Sequence, residues 1–139
     1  MKIKLTNGVC VAVALGCVVF STLASDIPTK TYSYTQKGER LIDGQRASIT
    51  WNITIKDDKN AVVTMSSWHA PFTCDGKYTV SDEGDKLALN WSGKDNPDTE
   101  CNTPPPQILM KKSPTGKVLV QSELFVWDPS GWKNTRIIR

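Results

Sequence analysis

The sequence holds one histidine, no glycine-rich phosphate loop and no run of ~20 apolar residues within its 139 positions, and each absence removes a class of function. A serine or cysteine nucleophile needs a base within hydrogen-bond reach, and His69 is the only imidazole in the chain. Without a G-x-G-x-x-G or P-loop pattern, nucleotide chemistry has no cradle for its phosphates. The longest apolar stretch, Val9 to Phe20, is too short to span a bilayer. An excess of one charge is missing too: 17 Lys+Arg against 14 Asp+Glu give a net charge of +3, well below the basic footprint of a nucleic-acid binder. The carboxylates gather in turn-like segments, so no buried pair for acid–base work is expected. A non-enzymatic protein without a cofactor is the expectation, and at 39% hydrophobic residues it has enough apolar material to fold as one domain.

What is present begins with an export signal. Met1, Lys2 and Lys4 form a basic start, the Val9–Phe20 stretch an apolar middle, and Ser21-Thr22-Leu23-Ala24 a small-residue exit. That order predicts a signal peptide over residues 1–24 and a single domain over residues 25–139. The competing reading is lipidation of Cys17 in Ala14-Leu15-Gly16-Cys17, for which the residue order is poor. Removing residues 1–24 takes two lysines with it and leaves a nearly neutral chain, with no basis for binding nucleic acid or an anionic membrane. Cys10 and Cys17 lie in the signal; Cys74 and Cys101 remain, an even pair in an oxidising compartment, and are expected to form a disulfide in a periplasmic or secreted protein. Two cysteines 27 positions apart lack the paired spacing of a zinc site, and Asp95-Asn96-Pro97-Asp98-Thr99-Glu100 lacks the EF-hand spacing, so no metal is expected.

Beyond the signal the pattern is alternation. In Ser48-Ile49-Thr50-Trp51-Asn52-Ile53-Thr54-Ile55 the apolar residues fall on one face and the polar ones on the other, as in a half-buried antiparallel strand. Similar stretches predict eight strands, near Tyr32–Lys37, Arg46–Lys56, Ala61–Trp68, Gly76–Ser81, Asp85–Trp91, Gln107–Lys112, Lys117–Trp127 and Trp132–Ile138. Turn chemistry at Asp57–Asn60, Asp82–Gly84, Ser113–Gly116 and Asp128–Gly131 joins neighbours as hairpins. The fold class expected is all-β: an eight-stranded antiparallel up-and-down β-barrel or closed meander. The Lys117–Trp127 strand is apolar on both faces, which calls for cover by the amino-terminal segment or by a partner.

Gly76-Lys77-Tyr78-Thr79-Val80 followed by Asp85-Lys86-Leu87-Ala88-Leu89 resembles a hairpin of lipocalin-like bacterial envelope proteins, including META-type domains. The resemblance implies a small envelope β-barrel. Size, export and strand number are also similar to those of periplasmic lysozyme inhibitors, although their Ser-Gly-x-x-Tyr loop is absent: Ser92-Gly93-Lys94-Asp95-Asn96 and Ser130-Gly131-Trp132-Lys133-Asn134 have Asn where it has Tyr.

In an up-and-down meander the connections alternate between two ends. The tight turns at Asp57–Asn60, Asp82–Gly84 and Ser113–Gly116 fall at one, while segments 38–45, 69–75, 91–106 and 128–131, which include every long connection, fall at the other together with both cysteines. Long loops stapled on a rigid scaffold suit binding. The candidate binding residues at that end are Trp68, His69, Phe72, Trp91, Asp95 and Trp132. The expected role is a protein-binding module, inhibitor-like or immunity-like. The alternative is a lipocalin-like carrier with a small apolar ligand inside the barrel, to which a cavity below ~300 Å³ is unfavourable.

Overall fold

The computed structural model describes residues 26–70 and 73–139. The expected signal peptide and the candidate Phe72 lie outside the described residues. The described residues form nine strands: β1 (Thr31–Arg40), β2 (Arg46–Ile55), β3 (Asn60–Trp68), β4 (Gly76–Asp82), β5 (Leu87–Trp91), β6 (Ile108–Lys112), β7 (Val118–Gln121), β8 (Lys133–Asn134) and β9 (Arg136–Ile138). They make one antiparallel sheet in the order β8-β7-β6-β5-β4-β3-β2-β1-β9, an up-and-down, nearly closed barrel.

Two strand assignments need correction. The barrel has nine strands and not eight, because the expected Trp132–Ile138 strand divides at Thr135. Its first part pairs with β7 (Val120↔Lys133) and its second with β1 (Tyr32↔Ile137), so one short segment crosses the gap between the sheet's two ends. The expected Lys117–Trp127 strand stops at Gln121. Ser122 Oγ donates to Gln107 O at 2.5 Å and accepts from Leu124 N at 3.0 Å, and turn bonds Phe125 N→Ser122 O and Asp128 N→Phe125 O follow. These turns bury the adjacent Leu124 and Phe125 together. In a continuous strand the two side chains would face opposite ways.

Alternation works as expected in β2, where Ile49, Trp51, Ile53 and Ile55 point inward and are at most 4% exposed. Facing them are Tyr32, Val63, Tyr78, Leu89, Met110 and Val120, all buried. Phe125 enters from the β7–β8 connection, 4.8 Å from Trp51 in a T-shaped contact and 4.7 Å from Tyr34.

The ends differ. At one, the short turns are held by their own side chains: Asp57 Oδ1 accepts from Lys59 N and Asn60 N, each at 2.8 Å, and Asp82 Oδ1 accepts from Gly84 N at 2.9 Å. The Lys59 N–H and the Asn60 amide hold the Asp57 carboxyl below its ordinary range. Residues 26–30 close this end: Ile27 is buried, Tyr32 Oη donates to Pro28 O at 2.7 Å, and Ile55 N donates to Lys30 O at 3.0 Å. The other end receives the long connections and is the mouth of the barrel.

Candidate functional site at the barrel mouth

The mouth is lopsided. Strands β2 and β3 stay paired up to Ser48↔Trp68, whereas β4 leaves β3 at Val63↔Gly76, so the upper part of β3 stands above its neighbour. Where β4 is missing, Asp75 Oδ2 accepts the Met65 N–H at 3.0 Å, a side chain standing in for a strand. Cys74 and Cys101 form a disulfide with Cα atoms 4.8 Å apart, joining the β3–β4 and β5–β6 connections. Tyr78 Oη donates to Cys74 O at 2.5 Å. Burial, and then the Asp75 carboxylate, push the Tyr78 phenol above its ordinary range, so it remains a donor at any physiological pH.

Three polar side chains tie the remaining loops to the barrel. Gln36, buried on β1, donates to Asp128 O at 3.2 Å and accepts from Trp127 N at 3.3 Å. Beside it, Gly38 leaves room for the Trp127 ring, with which any larger side chain would collide. Gln107 accepts from Trp91 N at 2.8 Å and donates to Thr103 O at 2.9 Å. Asn96 accepts from Lys77 N at 2.9 Å and donates to Lys77 O and Ser92 O at 2.8 and 2.7 Å, which folds the acidic loop back onto β4. Gln107 is only 4% exposed, and Gln107→Ala removes the partner of two half-buried backbone groups, Trp91 N and Thr103 O. A loss of about 2–3 kcal/mol in urea unfolding is expected, with the Trp91 amide among the first to lose exchange protection.

Between these clamps lies a half-enclosed apolar pocket of about 210 Å³, lined by Ile49, Trp51, Met65, Thr73, Thr103, Leu124 and Val126. Thr73 adjoins Cys74 and Thr103 lies two residues past Cys101, so the disulfide sets one wall. Val126 is 57% exposed on the rim. At the tip of the β1–β2 hairpin, at the same end, Ile42 is fully exposed.

The sequence-predicted residues do not converge on this pocket. Trp68 stands at the end of β3 with its ring 4.1 Å from that of His69 at an interplanar angle of 81°. Trp91 is half-buried, with its ring in T-shaped contact with Tyr78 at 5.5 Å. Asp95 is exposed and accepts from Ser92 Oγ at 2.6 Å. Trp132 lies under Lys111 Nζ, which is 4.4 Å from its ring centroid. Only Trp68 and His69 are brought together, and none of the five described candidates lines the pocket. Thr73 and Thr103 fall in no alternating stretch, and Val126, expected in the Lys117–Trp127 strand, reaches the pocket from the connection after β7.

Comparison with family models, curated proteins and solved structures finds no match. The site therefore stands on its own geometry. Among the described residues no helix is long and apolar enough to cross a membrane, and no group of three or more His, Cys, Asp or Glu is placed to hold a metal ion. The disulfide is consistent with an oxidising compartment.

Proposed function

We propose that the protein is an exported, non-enzymatic binding module, periplasmic or secreted, that takes a protein partner at the disulfide-linked loop end. The observation that carries this reading is the apolar pocket of about 210 Å³ at the barrel mouth. Small-molecule sites usually start at ~300 Å³, and a volume below that suits a single apolar side chain inserted by a partner. The size of this pocket weighs against a small-molecule carrier site at the mouth. Support also comes from the exposed apolar groups at the same end, Val126 and Ile42. The staple and the glutamine clamps hold the pocket walls before binding, which reduces the ordering cost of association. An inhibitor-like or immunity-like role fits a rigid cap of this kind.

The test is capture from an envelope extract by the oxidised protein, followed by the same capture with Val126→Asp and Ile42→Asp. Both side chains are exposed, so the fold is expected to survive and the captured partner to be lost by about tenfold or more with Val126→Asp. Undiminished capture by both variants would move the interface away from the mouth. Retention of a small apolar molecule with no protein would favour the carrier reading.

A further inference from the structure

The wall that carries the pocket on its inner side has a different outer side. Register places Lys37, Ser48 and Trp68 in one row across β1, β2 and β3, because Lys37 pairs with Ser48 and Ser48 with Trp68. They face outward, since the neighbouring Ile49 and Trp51 face the core. With Gln45 and Arg46 they line a shallow, open depression.

Its chemistry is narrow. Lys37 and Arg46 are exposed, and the ion pairs among the described residues, Lys86–Asp85 and Lys133–Asp128, involve neither. Among the described residues no carboxylate lines the depression. The nearby Asp43 Oδ1 accepts from Gln45 N at 3.0 Å, and Arg40 donates to Gly44 O at 2.9 Å, so both are engaged within the hairpin. Trp68 is the only apolar lining residue among the described residues; it is 37% exposed, and the near-perpendicular His69 ring packs against it. Gln45 and Ser48 add an amide and a hydroxyl.

We infer that this shelf binds a saccharide bearing an anionic group, carboxylate or phosphate. An indole face packs against the C–H face of a sugar ring, the amide and hydroxyl bond its hydroxyls, and Arg46 and Lys37 take the anion through charge-assisted hydrogen bonds. An acidic peptide is the weaker fit. At Ser48 the backbone is paired on both sides, and the described lining offers no apolar pocket for peptide side chains. The inference does not rest on the protein-partner reading, because the shelf and the mouth pocket are on opposite faces of the wall.

The experiment titrates the protein, disulfide intact, with tetragalacturonate for the carboxylate case and mannose 6-phosphate for the phosphate case. Maltotetraose and hexaglutamate serve as controls. The readouts are the Trp68 indole N–H shift and affinity at low and high salt. Binding of either anionic sugar that moves the Trp68 signal and weakens with salt is expected, and which one binds identifies the anion. Trp68→Ala and Arg46→Gln should each weaken it by about tenfold or more, with Arg46→Lys retaining part of the affinity. Because Arg46→Gln changes only an exposed hairpin residue, it keeps the test independent of any folding defect in Trp68→Ala. The inference is overturned by absence of binding to both anionic sugars, by equal binding of maltotetraose or hexaglutamate, or by unchanged affinity in either variant.

Discussion

Phe125→Ala is expected to lower the unfolding free energy by ~3–5 kcal/mol, the range for emptying a large aromatic site in a packed core. Phe125 is fully buried, and its ring contacts Tyr34 at 4.7 Å and Trp51 at 4.8 Å. Both partners belong to the paired strands β1 and β2, which cannot collapse inward without breaking the Tyr34↔Trp51 register. The cavity should therefore persist, which places the cost toward the upper part of the range. Phe125 also anchors the β7–β8 connection, so its loss should loosen Leu124 and Val126 and with them one wall of the mouth pocket. Urea unfolding followed by tryptophan fluorescence measures the first effect, and hydrogen exchange at Phe125–Asp128 the second. A loss below ~1 kcal/mol would mean that the segment is not seated in the core as described.

The second large effect is expected from the disulfide. Replacing Cys74 and Cys101 by alanine opens a loop of 27 residues' separation, which in the chain-entropy model costs ~3–4 kcal/mol. Domains are typically stable by only ~5–15 kcal/mol, so this is a substantial fraction. Cys74 is 3% exposed and belongs to the core cluster, which adds a packing loss at its site. The loss should be uneven: β1–β2–β3 keep their pairing, while Thr73 and Thr103 move apart and the pocket widens. Partner capture at the mouth should fall further than stability alone predicts. Midpoints of denaturant unfolding with and without reductant, set beside capture under the same conditions, distinguish the two effects. Equal capture by the reduced, still folded protein would show that the staple serves stability alone.

Much of the architecture is legible in the sequence because alternation and turn chemistry agree with each other. The β2 pattern from Ile49 to Ile55 names its own inward face, and the Asp57 and Asp82 turns are held by the side chains whose presence marks them. Counting hairpins places both cysteines at one end, where they meet. Alternation misleads at Lys117–Trp127, because Leu124 and Phe125 continue an apolar pattern through a tight turn in which both are buried. What breaks the strand is a long-range bond, from Ser122 to the backbone of Gln107, that no local pattern records. The site is less legible than the fold for the same reason. Gln36 and Gln107 resemble surface residues until their loop partners are seen, and the pocket is assembled from Thr73, Thr103 and Val126, which share no element. The tryptophans draw attention by their chemistry, yet Trp91 and Trp127 pack against the core.

The pairing of β1 with β9 sets the order in which the protein can be completed. Each hairpin from β1 to β7 joins sequence neighbours and can form as soon as its own residues are free, but Ser33 meets Arg136 and Thr31 meets Ile138 across more than a hundred residues. The barrel seam is therefore the contact of highest sequence separation and the last to be gained. A chain emerging amino terminus first remains an open sheet with a free β1 edge until β9 is released. During that interval β1 is exposed to pairing with other chains, so the three residues of β9 guard against aggregation as well as closing the wall.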